Sequence, residues 1–184
     1  VLDLAAASGM DLARSADIAS NVLSGFQLEA QEAGRMADVL AKGASSANTN
    51  VEQLGNAMQF VAPVAATLGI TVEESTAAIG ALSNAGIQGQ KAGTGLRRVL
   101  IQLIKPTSQA QQALSKYGLS LEEVDPSVRN FTDILETLRD RNISAADSAI
   151  IFGAEGVSAY QALAGQISGI RRLNDELDRA DGAA

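Results

Sequence analysis

TVEESTAAIGALSNAGIQGQKAGTGLRRVLIQLIKP, residues 71–106, is the stretch on which the fold of this 184-residue chain turns. Thr71 and Glu74 stand at the spacing of a capping box, in which the hydroxyl takes the amide three residues on and the carboxylate reaches back. That spacing predicts a helix through Ile79 and Leu82 to about Ala85, closed by Gly86. A glycine-rich stretch from Gly86 to Gly95 then leads into a helix. Its Leu96, Val99, Leu100, Leu103 and Ile104, at three- and four-residue spacing, are expected to face inward until Pro106 stops it. The segment reads as helix, glycine turn, helix.

The same grammar extends in both directions. Upstream, a first helix is predicted over residues 2–8, stopping at Gly9. A second is capped by Asp11, runs to Ser24 and stops at Gly25, with Leu12, Ala16, Ala19 and Leu23 as its buried stripe. A third covers residues 28–41, with Ala33, Met36, Ala37 and Leu40 on one face and its end near Gly43. After a polar linker, residues 44–50, either Thr49 with Glu52 or Asn50 with Gln53 starts a helix near Val51. Val51, Leu54, Met58, Val61, Ala65 and Leu68 line its inner face. Pro63, which lacks an amide hydrogen, predicts a kink or break, and Gly69 ends the helix.

Downstream, a short polar helix is predicted over residues 107–116, then a turn over residues 120–126. A helix over residues 129–141 offers Phe131, Ile134, Leu135 and Leu138 to the core. Ser144, with Asp147 in the reciprocal capping position, starts another, whose Ile150, Ile151 and Phe152 run to Gly153. Helices over residues 157–164 and 166–180 finish the chain. The 3-4-3 spacing of Ile170, Leu173, Leu177 and Ala180 is too brief to establish a coiled coil. The expected fold is all-α: one domain over residues 1–184, a compact array of about nine or ten short helices without a sheet. With Val1 in place of Met, a fragment of something longer is expected.

Composition narrows the function. Apolar residues make up 46% of the chain and aromatic ones only 3%, so the core is built from Ala, Leu, Ile and Val, which suits helices packed through small side chains. Histidine and cysteine are both absent, which removes disulfides, thiol nucleophiles, the usual zinc ligands and the commonest general base. An enzyme is disfavoured, and no cofactor or metal is expected. The net charge of −7 opposes specific nucleic-acid binding.

Sharper motifs fall short. Backbone amides near Gly89 and Gly93, with Lys91, Arg97 and Arg98 close by, invite a phosphate-loop reading. However, Lys91 follows Gln90 and precedes Ala92, and Arg98 stands where a dinucleotide fingerprint needs its third glycine. The acidic runs Glu73–Glu74, Glu122–Glu123–Asp125 and Asp175–Glu176–Asp178 lack the calcium-loop pattern and read as solvated faces. Gly34, Gly55 and Gly80 lie inside predicted helices, each costing about 1 kcal/mol relative to Ala. Close helix crossing would offset that cost, and the competing explanation is a set of helices marginal enough to unravel. The uncharged stretch over residues 53–72 raises a membrane-inserting alternative, against which stand Gln53, Asn56, Gln59, Pro63 and Gly69 within it.

Taken in order, these segments resemble the core region shared by bacteriophage tail tape-measure proteins. The carriers are GIQGQKAGTGLRR, residues 86–98, with Gly86, Gly89, Lys91, Gly93, Thr94, Leu96, Arg97 and Arg98; VAPVAATLGI, residues 61–70, with Pro63 and Gly69; and ADVLA with NTNVEQLG, residues 37–41 and 48–55. Phe152 and Gly153 of IFG, residues 151–153, and the final GAA, residues 182–184, complete the set. The resemblance implies a structural protein of the virion tail, assembled in the host cytoplasm. Such a protein lies along the tail lumen, sets tail length, is bound beforehand by assembly chaperones and is released during DNA ejection. Its motif residues would serve packing and interaction. Expected partners are further copies of itself, a homo-oligomer, with tail-tube and tail-tip proteins; the alternative is a segment of the same protein that enters the host membrane during DNA delivery. The chain lacks the long unbroken heptads that a ruler segment would need.

Overall fold

The computed structural model describes residues 2–180. Ten α-helices follow one another: α1 (Leu2–Ser8), α2 (Leu12–Phe26), α3 (Ala33–Ser46), α4 (Val51–Thr67), α5 (Val72–Asn84), α6 (Gln90–Ile104), α7 (Ser108–Lys116), α8 (Phe131–Asp140), α9 (Ala145–Ala164) and α10 (Ile167–Asp178). Short 3-10 turns at Ala30–Glu32 and Glu122–Val124 fill two of the connections, and no strand occurs among the described residues. The carboxy-terminal GAA segment of the resemblance lies outside them.

Helix α5 forms the axis of the molecule. A surface helix buries one stripe, whereas eleven of the thirteen residues of α5 are buried, and α3, α4, α6, α9 and α10 all pack on it. Both halves of the predicted capping box form: Glu74 N donates to Thr71 Oγ1 at 3.1 Å, and Thr71 N to Glu74 Oε2 at 2.9 Å. At the other end Gly86 takes φ +84°, and Ile87 N and Gly86 N donate to the carbonyls of Leu82 and Ser83 at 2.9 and 3.0 Å. This is the paired arrangement that satisfies the orphan carbonyls of a helix end. Small residues let so many neighbours approach. A Cβ placed at Gly80 would lie 3.1 Å from Leu173 of α10 and 3.2 Å from Ala47. The hydroxyls of Ser75, Thr76 and Ser83 are buried without a hydrogen-bond partner, each costing about 1–3 kcal/mol that the surrounding apolar packing must offset.

Several boundaries depart from the expected ones for a common reason, that a glycine can serve a close contact as well as a helix stop. Helix α2 does not end at Gly25, where a Cβ would lie 2.7 Å from that of Ala62 on α4. It runs on to Phe26, and Gln27 adopts the left-handed conformation, φ +57°, usually left to glycine. Its buried stripe is Ser15, Ile18, Ala19, Val22 and Phe26, while Leu12 is exposed. The stripe read from spacing is rotated because Ile18 fits over Gly55 of α4, whose missing Cβ would lie 2.7 Å from Ile18 Cγ2. Helix α3 likewise continues past Gly43, which abuts Thr76, and only residues 47–50 remain as linker.

Asn50 rather than Thr49 caps α4, accepting from Gln53 N at 2.8 Å. No break occurs at Pro63, through which α4 runs continuously from Val51 to Thr67. Pro63 is exposed, on a side where water can take the carbonyl that its missing amide frees. The uncharged residues 53–72 divide between α4, the turn at Gly69 and the start of α5, and no described helix is long and apolar enough to cross a membrane. Phe131, Ile134, Leu135 and Leu138 of α8 are buried as expected, as are Ile170, Leu173, Leu177 and Ala180 at the end of the chain.

Candidate interaction surface

The segments that carry the resemblance converge. Gln88, in the turn between α5 and α6, donates through Nε2 to the carbonyl of Asn48 at 2.6 Å and accepts from Gln53 Nε2 at 3.4 Å. Asn48 N donates to Asn84 Oδ1 at 2.8 Å. The α3–α4 linker and the α5–α6 turn are thereby tied together. Gly89, with φ +55° and ψ −133°, is the N-cap of α6, which begins at Gln90, not after the glycine-rich stretch. Gly93 therefore lies inside the helix, where a Cβ would sit on the backbone carbonyl of Ala57 in α4. Gly95 meets Ala159 of α9, and Leu96 is buried. Gly69 ends α4 with φ +72°, again with paired amide donations from Gly69 and Ile70 to Ala66 and Ala65.

Phe152 and Gly153 join the same assembly. Gly153 interrupts α9 with φ +72° and ψ +171°, a conformation essentially closed to residues with a side chain. Phe152 is fully buried and stacks on Tyr160, with centroids 4.3 Å apart and rings inclined by 17°. Across the interruption lies Arg98 of α6, whose Nη2 would be 3.4 Å from a Cβ at Gly153 and whose Cγ would be 3.1 Å from one at Gly156. The side chain passes over the bend, and two motifs more than fifty residues apart become one joint.

Lys91, Thr94, Arg97 and Arg98 form the outward-facing part of the motif, and all four are exposed. Thr94 Oγ1 donates back to the carbonyl of Gln90 at 2.9 Å. Lys91, Thr94 and Gly95 line one side of a groove of about 460 Å³, with Glu155 and Ser158 of α9 opposite. A second cleft of about 300 Å³, between α8 and α10, is lined by the carboxylates of Glu74, Asp133 and Asp175 and by Arg171, whose Nη2 donates to Asp133 at 2.7 Å and, beyond the cleft, to Glu136 at 2.8 Å. Arg171 therefore pairs with α8 and not with its own helix.

The acidic run Asp175–Glu176–Asp178 and Glu122 are exposed as expected, but one carboxylate of the first run is not. Glu73 is 4% exposed and forms an ion pair with Arg35, which also holds Glu32 at 2.9 Å. The densest polar cluster escaped the sequence reading. Asp147 Oδ2 accepts from Lys116 Nζ at 2.8 Å, Tyr117 Oη at 2.6 Å and Ser144 Oγ at 2.9 Å. Tyr117 Oη in turn accepts from Ser144 N at 3.0 Å. The lysine, then the phenol and the serine hydroxyl, hold the Asp147 carboxyl down to about 2. Only the Ser144–Asp147 spacing was visible in the sequence, and it was assigned to helix capping, which also holds: Asp147 N donates to Ser144 Oγ at 3.1 Å. Burial pushes the Tyr160 phenol up to about 12. The Asp147 cluster clamps the end of α7 to the start of α9.

Backbone-close packing, polar clamps at helix joints and charges set on outer faces define a helical scaffold. The chain belongs to the phage-related minor tail protein family, which it matches over residues 1–181. It is 33% identical over 192 aligned residues to the tape measure protein of Pneumococcus phage Dp-1, with all of this chain and 17% of that protein covered. It is 31% identical over 170 residues to the probable tape measure protein of Escherichia phage P2, covering 88% of this chain and 21% of that one. The chain thus spans about a fifth of the length of these curated relatives. No solved structure matches it.

Proposed function

We propose that the chain is a compact, non-catalytic segment of a tape-measure protein, contributing to tail assembly through its surfaces. The observation that carries this reading is the family match along essentially the whole chain, to proteins named as tape measures. In the virion tail such a segment would associate with copies of itself and with tail-tube and tail-tip proteins, after release from assembly chaperones. Length determination would fall to other parts of the parent protein, because this part closes on its own core. Stretched into a single helix, 184 residues would reach roughly 280 Å at about 1.5 Å per residue. An in-frame deletion of the segment from the parent gene, with tails measured by electron microscopy, tests the reading. Tails of nearly parental length, or no tails at all, are expected. Shortening by the full extended length would contradict it.

A further inference from the structure

Charge is segregated along this chain. Residues 75–121 contain five cations and no carboxylate, so the remaining nine cations face all 21 acidic residues elsewhere, a balance of −12. Four of the five cations lie on or directly after α6. Lys91, Arg98 and Lys105 recur at seven-residue intervals, about 10 Å apart along one helix face, with Arg97 beside them. All four are exposed, and none enters an ion pair among the described residues. Ile104, expected to face inward, is instead 42% exposed, because it is the last residue of α6 and falls on the side of this row.

A complementary surface occurs on the same molecule. Around the 3-10 turn Glu122–Val124, Leu121 and Val128 are 46% and 64% exposed, Glu122 is exposed, and Glu123 and Asp125 are half-buried. Arg129 also lines this loop, half-buried, its Nη1 donating to the carbonyl of Glu123 at 3.0 Å, so three carboxylates face one cation there. One surface is basic with an apolar tip, the other net acidic with two. We propose that the outer face of α6 docks on the Leu121–Val128 loop of a second copy of the chain, head to tail. This rests on the reading that the chain acts through its surfaces. Nucleic acid suits the α6 face less well. The face offers no aromatic ring for base stacking, its row ends in an isoleucine, and the molecule as a whole repels phosphate. A second copy instead brings the acidic balance with it. Two patches this small make a weak, salt-sensitive contact whose repetition, not its individual strength, would matter. Because the two surfaces differ, repetition of the contact closes into a ring or extends as an open array, according to the rotation between successive copies.

Sedimentation velocity of the 184-residue chain tests the proposal with two variants, R97E/K105E on the basic face and E122K/L121S on the loop. The unaltered chain is expected to self-associate at low salt, with the association constant falling at least about tenfold near 0.5 M salt. Each variant alone should be monomeric, with an unchanged helical circular dichroism spectrum. An equimolar mixture should form dimers and nothing larger, because each partner retains one intact surface and the two are complementary. A monomeric unaltered chain, a mixture that stays monomeric, or variants that associate like the unaltered chain would overturn the proposal. Binding of a short DNA duplex that R97E/K105E abolishes would overturn it too, by assigning the face to nucleic acid. None of these outcomes bears on the tail-deletion experiment, so this surface and the assembly reading can fail separately.

Discussion

The packing of α4 against α2 and α6 and the joint of α7 with α9 solve one problem, fixing one helix on another, by opposite means. In the first, backbones approach until a single methyl has no room: Gly25 meets Ala62, Gly55 meets Ile18, and Gly93 meets the carbonyl of Ala57. In the second, three donors converge on one carboxylate oxygen, that of Asp147. Close packing gives a contact indifferent to pH and intolerant of added volume. The clamp tolerates volume and depends on ionisation. The joint of Arg98 with Gly153 stands between them, since it combines a glycine-only backbone with a charged side chain laid across it.

The contrast breaks most sharply at Gly93. Replacing it with Ala sets a methyl against backbone on a neighbouring helix, which cannot rotate away as a side chain could. Gly93→Ala should lower unfolding free energy by about 3 kcal/mol in urea denaturation. A loss below about 1 kcal/mol would mean that α4 and α6 can separate freely. Gly153→Ala should be milder, about 2 kcal/mol, because the strain is confined to one residue whose neighbour Arg98 is exposed and able to shift. The smallest effect belongs to the clamp. The Asp147 carboxyl is held below its unfolded value, so its contribution to stability is complete above about pH 4. It is lost as the pH falls toward about 2. Thermal melts of the native chain and Asp147→Asn should differ at pH 5 and converge by about pH 2. A constant difference across that range would show that the clamp acts by shape alone.

Much of the local structure was legible because it depends on near neighbours. Asp11, Asn50, Thr71 and Ser144 cap helices by accepting amides three residues on, and nothing distant is needed to see them. What was not legible depends on the far side of a contact. Gly25 and Gly43 look in sequence like the stops that Gly69 and Gly86 are, and Gly93 like part of a glycine turn. Only the approach of another helix separates the two uses. The stripe of α2 has the same cause: Leu12–Ala16–Ala19–Leu23 and Ser15–Ile18–Val22–Phe26 both satisfy helical spacing, and Gly55 selects the second. Glu73 and Asp147 read as solvated or capping carboxylates because Arg35 and Lys116, their partners, lie more than thirty residues away. The resemblance segments 37–55, 86–98 and 151–153 were identified separately, and their joining through Gln88, Gly93 and Arg98 could not be read from order alone.

Native-state hydrogen exchange bears most directly on the central claim, that glycines within these helices are points of contact and not points of weakness. Amides flanking Gly55 in α4 and Gly80 in α5, pressed against Ile18 and Leu173, should exchange only through global unfolding, with the same free energy as the rest of those two helices. Gly34, which has no neighbour within 4 Å of a Cβ position, should open locally and exchange faster. Exchange at Gly55 and Gly80 through local openings well below the global free energy would contradict the account, and would mean that these helices are set to unravel.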